Sequence, residues 1–349
     1  MSSAVPLRVA FAPARAAGNP YLDDLAAALP PGRVEVVRVP WRALTAPGAD
    51  RVADVVHVHW VQMLLEEQEQ GYGRHAAAGY LRRLARLRRQ GVALVWTMHN
   101  LASHEPHAWG VDRMLRRATA ASAARVVVHC DVARDALRRL WPAARAVVLP
   151  HPARELPPLD RDAARRHLGL EGAERVVAVP GAIRDYKDVP GLVYALRRAA
   201  GPGVRIVVAG QPRDVALGDS VQRAADGDAR VLLRLDRQQD EDLRAVIAAA
   251  DVAVLPYRRV LTSGAAIAAL AEGVPVVVPA LGCLAEQAGE GALVHAPGDL
   301  GGAARLALET PAGELSRCGA AGRAHVLRTT WAVAGERMAE VYERASGRA

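Results

Sequence analysis

Short runs of apolar, β-branched residues alternate with amphipathic stretches along nearly the whole chain. Continuous apolar runs separated by helical segments are typical of parallel strands that are buried on both faces of a sheet. In the first half, the pattern predicts strands at 7–12, 34–39, 54–59, 93–98, 125–129 and 146–149. In the second half, it predicts strands at 175–179, 204–209, 229–235, 251–255, 275–278 and 292–295. We therefore expect an α/β protein with two doubly wound sheets.

A proline-rich stretch at 149–159 separates the two halves of this pattern and is the expected linker. A chain of 349 residues also exceeds what one hydrophobic core usually supports. The sequence thus predicts one domain at 1–152 and a second at 153–329. The remaining segment, 330–349, predicts an amphipathic helix that begins near Trp331.

The charge balance indicates anionic partners without selecting one. A formal net charge of +8 and a pI near 10.0 attract nucleotide phosphates, phospholipid surfaces or nucleic acid. The sequence contains no zinc-ligand spacing, no aromatic-bearing RNA motif and no basic stripe interleaved with aromatic residues. Nucleic acid is therefore not an expected partner, although a basic nucleic-acid-binding protein stays as the alternative from a different functional class.

Two apolar segments need to be distinguished from targeting or membrane segments. The run at 5–11 contains Arg8 and predicts a buried strand rather than a signal peptide. The stretch at 265–285 is interrupted by Glu272 and two prolines, so it predicts a helix, a turn and a strand. We therefore expect a cytoplasmic protein, with peripheral contact to the inner face of the membrane left open.

Candidate binding residues follow the strands of the second half, because ligands of doubly wound sheets bind beyond the carboxyl ends of the strands. After the first of these strands, Gly181 permits a tight turn, and Arg184 and Lys187 place two cations at the mouth of the sheet. A diphosphate leaving group gains negative charge as a glycosidic bond breaks, and a fixed pair of cations stabilises that charge. A solvated basic loop is the alternative interpretation.

The fourth and fifth strands of the second half are also followed by polar residues. After the fourth, Tyr257 precedes Thr262, Ser263 and Gly264, which open an alanine-rich helix. Thr262 or Ser263 is a suitable N-cap, and Gly264 lets a phosphate approach free backbone N–H groups. After the fifth, Glu286 offers a carboxylate that can accept hydrogen bonds from both hydroxyls of a ribose. Three strand ends together fit one nucleotide diphosphate.

These segments resemble a known family. GAIRDYK, AGQP, LPY…TSG, EGVPVVVP and LGCLAE occur in the order and spacing of GT-B glycosyltransferases, most like the large retaining family that uses UDP-, GDP- or ADP-sugars. The resemblance covers nearly all of the second half and, more loosely, the first half. It implies two Rossmann-like domains that face a central cleft, with the helix at 330–349 crossing back to the first domain.

The resemblance also implies roles for individual residues. By this resemblance, Arg184 and Lys187 bind the diphosphate, together with the backbone amides of Ser263 and Gly264. Glu286 binds the ribose, and Leu235, in the segment 233–235, faces the nucleobase. The donor is then a nucleotide-diphosphate sugar, with UDP or GDP expected, and it acts as a co-substrate, so that no cofactor is expected.

The sequence departs from the family at one motif. Many members carry two glutamates eight positions apart before the GVPVV segment, and by spacing those places hold Val260 and Ala268 here. Glu272 matches neither place. Recognition of the sugar by the first glutamate is therefore absent, which leaves the identity of the donor and the retaining outcome open.

The first half of the chain also contains candidate residues for contact with the donor. The loop after the first strand contains Gly18 and Asn19, and in related enzymes this loop approaches the donor phosphates. A histidine at the end of the fourth strand recurs in the resembled family, where it contacts the donor sugar, and His99 has that place.

Four further residues of the first half are candidates for acceptor binding. They are Trp60, Asn100, His104 and Glu105, all in loops after predicted strands. If the reaction inverts the anomeric centre, Glu105 is a candidate general base. If it retains the configuration, the leaving phosphate can take the acceptor proton. Ordinary loop polarity is the alternative for His104 and Glu105.

No metal site is expected. His57 and His59 share one face of a strand, but they lack a third convergent ligand. The pairs Asp160/Asp162, Asp226/Asp228 and Asp240/Asp242 lie in linkers or at helix starts, where aspartate is a common cap.

The sequence therefore predicts a metal-independent glycosyltransferase, a hexosyltransferase, that acts on a small-molecule, polysaccharide or lipid-linked acceptor. A GT-B epimerase, a sugar-phosphate synthase and a pseudo-glycosyltransferase with a non-sugar donor stay as alternatives. An arginine-rich helix at 75–90, with Arg82, Arg83, Arg86, Arg88 and Arg89, predicts either a solvated face or contact with anionic lipid headgroups or a phosphorylated acceptor.

Overall fold

The computed structural model of the chain describes residues 5–16, 18–44, 52–66, 74–102 and 109–348. The chain divides into two compact units. Unit 1 consists of Met1–Pro150 together with Trp331–Ala349, and unit 2 consists of His151–Thr330. The divisions therefore fall in the proline-rich stretch and directly before the last helix.

Unit 1 contains a parallel six-stranded sheet with the strand order β2-β1-β3-β4-β5-β6. Its strands are β1 Leu7–Ala12, β2 Val34–Val37, β3 Val55–Val58, β4 Ala93–Thr97, β5 Arg125–Val128 and β6 Ala146–Val148. The central strand β3 is buried at every position and consists of valines and His57, because helices cover both faces of the sheet, which is the arrangement that continuous apolar runs predict.

Six α-helices lie between these strands in the described part of unit 1. They are α1 Tyr21–Ala28, α2 Trp41–Leu44, α3 Met63–Glu66, α4 Arg74–Arg89, α5 Trp109–Ser122 and α6 Asp131–Leu140. On α4, Leu84 and Leu87 are buried, whereas Arg82, Arg88 and Arg89 are exposed. Arg83 and Arg86 are half-buried, so the exposed basic face is narrower than the five arginines of the sequence suggest.

Unit 2 repeats the architecture with the strand order β12-β11-β10-β7-β8-β9, again all parallel. Its strands are β7 Arg175–Pro180, β8 Val204–Ala209, β9 Val231–Arg234, β10 Val252–Val254, β11 Val276–Pro279 and β12 Ala292–His295. The two doubly wound sheets that the sequence predicts are thereby confirmed, with every strand within two residues of its expected bounds.

Aspartate side chains cap three of the α-helices of unit 2. The α-helices of this unit are α7 Arg161–Leu168, α8 Val189–Ala199, α9 Val215–Ala225, α10 Asp240–Ala248, α11 Gly264–Ala271, α12 Leu284–Ala288, α13 Leu300–Glu309 and α14 Ala312–Val326. The side chains of Asp160, Asp214 and Asp299 accept hydrogen bonds from the first turns of α7, α9 and α13. Asp226 instead ends α9 in the left-handed region, with φ of 51°.

The last helix, α15 Trp331–Ser346, belongs to unit 1 and packs on α1. A Cβ on Gly335 would lie 1.9 Å from the carbonyl oxygen of Ala28, so only glycine permits this close helix crossing. Arg33 fixes the same crossing by donating to both carboxylate oxygens of Glu343, at 2.8 and 2.7 Å. No helix in the described ranges is long and apolar enough to cross a membrane.

Candidate active site

The strand order of unit 2 places a topological switch point between β7 and β10. The chain proceeds from β7 to β8 and β9 on one side, then returns to β10 and continues to β11 and β12 on the other. Loops that leave neighbouring strands in opposite directions open a crevice at the carboxyl edge, where doubly wound sheets bind ligands. The loops after β7 and β10 carry most of the residues that the sequence predicts for donor binding.

Lys187 supplies a buried cation at this switch point. It is the only lysine in the sequence, and its side chain is 8% exposed. Its ammonium lies 5.4 Å from the centre of the Tyr257 ring and 3.4 Å from the point that a Cβ on Gly181 would occupy. Burial, followed by the charge of Arg184, lowers the pKa of Lys187 to about 8. A desolvated ammonium of this kind is stabilised by an anion, so the position fits an anionic ligand.

Arg184 is half-buried at the start of the same loop. Its Nη1 donates to the carbonyl oxygens of Ile183 and Gln211, at 2.8 and 3.1 Å. These two bonds tie the guanidinium to the loops after β7 and β8. They orient the second predicted cation while leaving donors that a phosphate can accept from.

The N-terminus of α11 lies near Lys187. Ser263 is the N-cap: its Oγ accepts from the backbone N–H of Ala266 at 3.1 Å and lies 2.8 Å from the hydroxyl of buried Tyr257. The first residues of a helix have no intrahelical acceptor, and the N–H groups of Gly264 and Ala265 bond to none of the described residues. Ala265 Cβ lies 3.5 Å from the Cβ position of Gly181, the same point that Lys187 approaches.

Gln287 was not predicted from the sequence, and it changes the role of Ser263. The side-chain oxygen of Gln287 accepts the backbone N–H of Ser263 at 3.1 Å. The Ser263 amide that the sequence predicts for phosphate binding thus already has a partner, whereas the amides of Gly264 and Ala265 have no acceptor in the described residues. Gln287 is 6% exposed, and its Nε2 has no hydrogen-bond partner in the described residues. Thr262 precedes the cap and is half-buried.

The loops after β7 and β8 are in close backbone contact. Gly210 has φ of 151°, and a Cβ there would lie 2.3 Å from the carbonyl oxygen of Gly181. Leu235 follows β9 and is half-buried against the core of unit 2. Glu286 is exposed in the first turn of α12, and its carbonyl oxygen accepts from His325 at 3.1 Å. The roles of Leu235 and Glu286 stay predictions.

The carboxyl edge of the unit 1 sheet carries a cluster of buried imidazoles, comprising His57, His59, His99 and His129. His99 Nε2 lies 3.1 Å from His59 Nδ1. The His99 ring stacks on Trp60 at 4.5 Å and meets the edge of Tyr21 at 4.7 Å. The predicted sugar-contacting histidine is thus held in a fixed orientation by three rings.

His57 lies deeper in the cluster, between Tyr342 and Thr97. Its Nδ1 is 2.7 Å from the hydroxyl of Tyr342, and its Nε2 is 2.7 Å from Oγ1 of Thr97. Burial, and then the charge of His129, lowers the pKa of His57 to about 3. Burial also places the pKa of His59 well below its usual range. Within the described residues, no group of these side chains is arranged to hold a metal ion.

A buried ion pair on α5 fixes the loop that contains Asn100. Arg116 donates to Asp112 at 2.8 Å, and both side chains are buried. The same guanidinium donates to the carbonyl oxygen of Asn100 at 2.9 Å and to Gln62 at 3.2 Å. The pair thereby joins the loops after β3 and β4, which no local pattern in the sequence indicated.

The remaining unit 1 predictions have simpler outcomes. Gly18 has φ of 73° and is exposed, and Asn19 is exposed with its side-chain oxygen accepting from Tyr21 N–H at 3.0 Å. Asn19 therefore helps to start α1, and its predicted contact with the donor stays a prediction. His104 and Glu105 lie outside the described residues.

Comparisons with known proteins agree with this geometry. Residues 174–309 match the family model described as Glycosyl transferases group 1. The chain is 28% identical over 286 residues to the GDP-mannose:glycolipid 4-beta-D-mannosyltransferase of Xanthomonas campestris pv. campestris, a match that covers 78% of this chain and 74% of that protein. It is 37% identical over 214 residues to the D-inositol 3-phosphate glycosyltransferase of Mycobacterium bovis, covering 56% of this chain and 44% of that protein.

Solved structures share the fold across almost the whole chain. Sucrose-phosphate synthase from Thermosynechococcus elongatus matches with a TM-score of 0.78 and 19% identity, covering 98% of this chain and 100% of that one. HepE from Anabaena, in complex with UDP and glucose, matches with a TM-score of 0.71 and 16% identity, covering 96% and 99%.

The two Rossmann-like units and their structural neighbours define the class: the chain has the GT-B fold. The group 1 match lies within unit 2, at residues 174–309, and the chain is similar to a mannosyltransferase over 78% of its length, which supports a GT-B glycosyltransferase. These findings support the resemblance to GT-B glycosyltransferases that the sequence motifs indicated.

Proposed function

We propose that the protein transfers a hexosyl group from a nucleotide-diphosphate sugar to an acceptor hydroxyl. The observation that carries this proposal is the buried Lys187 ammonium beside the free amides of α11 at the switch point of unit 2. A helix N-terminus and a desolvated cation both favour an anion, and a diphosphate can accept from both at once.

The chemistry follows from the charge of the leaving group. As the glycosidic bond breaks, the nucleoside diphosphate gains negative charge, which Lys187, Arg184 and the Gly264 amide stabilise in place. These fixed positive groups do the work that a divalent cation does in other phosphate sites. We therefore propose that turnover needs no metal ion.

Two donor classes are the first to test. The relative from Xanthomonas is named for GDP-mannose, and the Anabaena neighbour was solved with UDP and glucose. We propose GDP-mannose as the donor, because that relative matches most of the chain. A UDP-hexose is the second candidate.

We propose that the acceptor is either a glycolipid or a phosphorylated polyol such as an inositol phosphate. One relative is named for a glycolipid acceptor and another for an inositol phosphate. The exposed arginines of α4, a helix without a single acidic residue, support contact with such anionic groups at a membrane surface.

The stereochemical outcome separates two versions of this function. The resembled family predicts retention, in which the leaving phosphate takes the acceptor proton. The replacement of both family glutamates by Val260 and Ala268, and the β-linkage in the name of the Xanthomonas relative, favour inversion as the second version. Inversion needs a general base, for which Glu105 is the candidate.

A transfer assay tests the proposal. The purified chain is incubated with GDP-mannose or UDP-glucose and a polyprenyl-diphosphate-linked oligosaccharide or an inositol phosphate, with and without EDTA, and the products are analysed by mass spectrometry. We expect an acceptor heavier by one hexose, unchanged by EDTA, and NMR of its anomeric proton assigns the stereochemistry. Absence of transfer together with absence of donor hydrolysis would contradict the proposal.

A further inference from the structure

His151 lies at the beginning of unit 2, beside the N-terminus of α11. Its Nε2 is 3.9 Å from the point that a Cβ on Gly264 would occupy. Its Nδ1 is 3.0 Å from the carbonyl oxygen of Pro152. Because a carbonyl oxygen only accepts hydrogen bonds, Nδ1 carries a proton, and Nε2 is the ring atom on the side of Gly264.

His151 and Lys187 lie in different segments of unit 2, but both are close to the N-terminus of α11. Lys187 Nζ and Ala265 Cβ both approach the Cβ position of Gly181, at 3.4 and 3.5 Å. His151 approaches the preceding residue, Gly264. The amides of Gly264 and Ala265 lack a partner in the described residues. Of the two basic side chains, His151 lies beside Gly264, and Lys187 lies beside the Gly181 position that Ala265 also approaches.

We propose that His151 is a third side chain of the diphosphate site, which donates from Nε2 to a phosphate oxygen held by the α11 amides. This inference rests on the proposed function and adds to it a residue that neither the sequence motifs nor the comparisons identify. A phosphate at this helix end favours the doubly protonated imidazole, in which Nδ1 still donates to Pro152 and Nε2 donates to the ligand. His151 touches the leaving group, so it contributes to binding the charge that develops there.

Two amide substitutions separate this role from a structural one. In His151→Gln, the side-chain amide reaches the place of Nε2, whereas in His151→Asn it reaches only the place of Nδ1. The first variant retains the donor that faces Gly264, and the second retains only the bond to Pro152. His167→Asn, at an exposed position on α7, is the matched control.

The affinity of each variant for GDP, UDP and the corresponding nucleosides is measured by isothermal titration calorimetry. We expect His151→Asn to weaken diphosphate binding about tenfold, which is the loss of one charge-assisted hydrogen bond. His151→Gln is expected to lose clearly less, and neither variant changes the affinity for the nucleoside alone. His167→Asn is expected to bind like the wild type.

Each other result overturns the inference. If His151→Asn binds the diphosphate like the wild type, or if both variants lose the same affinity, Nε2 has no contact of its own with the phosphate. The proposed function is retained if the wild type binds diphosphate and Lys187→Ala does not. In that case, equal diphosphate affinity of the two His151 variants rules out only the role of His151. If the wild type binds no nucleoside diphosphate, the proposed function fails with it.

Discussion

Lys187 illustrates how one residue combines burial and charge. Its pKa of about 8, compared with the ordinary 10.5, means that its positive charge is present below pH 8 and is lost as the pH rises through that value. The neutral amine attracts a phosphate less strongly, so we expect nucleoside diphosphate affinity to fall as the pH rises above about 8. Because bound phosphate favours the ammonium, the midpoint of the fall lies above the pKa of the free protein.

Reductive ¹³C-methylation followed by NMR at several pH values measures this charge directly. The sequence contains a single lysine, so the spectrum holds one methyl-lysine signal besides that of the N-terminal amine. The signal is expected to titrate near 8 in the free protein. In Lys187→Arg the pH dependence of binding should flatten, since arginine stays charged. A methyl-lysine signal that titrates near 10.5 would contradict the buried environment of this side chain.

His57 predicts a loss of stability in acid. Its folded pKa of about 3 lies below the ordinary 6.5, so the unfolded chain binds the extra proton first as the pH falls. The stabilisation is complete above pH 6.5 and is lost as the pH decreases towards 3. Each such histidine contributes a slope of about 1.4 kcal/mol per pH unit to the free energy of unfolding in this window.

Urea unfolding at pH 7 and at about pH 5 checks this slope. His57→Gln removes the titrating group and retains an amide near Thr97, so its stability should depend less on pH than that of the wild type. His167→Gln, which changes an exposed histidine, should show the wild-type slope. Equal slopes in His57→Gln and the wild type would show that His57 does not titrate on unfolding.

At the residue scale, sequence reasoning identified residues that directly follow strands and missed those that meet them through tertiary packing. Lys187, Tyr257 and Gly264 were predicted because each follows a strand whose end is fixed by the sheet. Gln287 was missed because its contact with Ser263 spans 24 positions and depends on how α12 packs on α11. His151 was missed because it lies in the linker, where no strand end predicts its direction.

At the scale of elements, α5 depends on its internal ion pair. Removing one partner of a buried pair leaves an uncompensated charge, so Arg116→Ala is expected to lower the free energy of unfolding by about 3–5 kcal/mol. It also releases the carbonyl of Asn100. Arg117→Ala, one position further on the exposed side of the same helix, should change stability by less than about 0.5 kcal/mol. Chemical denaturation measures the free energy of unfolding of both variants. Similar free energies would show that the ion pair does not stabilise the fold.

The exposed basic face of α4 predicts binding to anionic vesicles. Reversing Arg82, Arg88 and Arg89 to glutamate should weaken co-sedimentation with phosphatidylglycerol vesicles by roughly a hundredfold or more, because each basic residue near such a surface contributes about 1 kcal/mol. The same reversal at exposed Arg223, Arg305 and Arg317 of unit 2 controls for net charge. Equal weakening in both variants would show that overall charge, rather than α4, is responsible, and no binding of the wild type at low salt would exclude the surface altogether.

The elements themselves were predictable for a physical reason. Strand β11 is buried at every position and β8 is buried from Ile206 to Ala209, so these stretches are apolar and are visible in the sequence as continuous runs. Edge strand β9 is half-buried throughout, and its predicted bounds were correspondingly too long. The short helices α2 and α3 have no periodic pattern long enough to detect, and they were not predicted.

At the scale of the whole molecule, two sheets of the same kind arise from one repeated pattern along the chain. The return of α15 to unit 1 follows the family resemblance, and the close crossing at Gly335 and the Arg33–Glu343 pair show what holds it there. The pattern alone gives no information on which acceptor the first unit binds, because acceptor contacts come from loops whose conformations depend on distant residues.

The most direct test of the central claim, that unit 2 binds a nucleoside diphosphate at Lys187 and α11, is a thermal-shift panel with GDP, UDP, ADP and dTDP. A ligand that binds only the folded state raises the melting temperature in proportion to its affinity and concentration. We predict that GDP or UDP stabilises the wild type and that neither Lys187→Ala nor Glu286→Ala responds, while His167→Asn responds like the wild type. If no nucleotide raises the melting temperature of the wild type, or if Lys187→Ala responds equally, the account of the donor site is wrong.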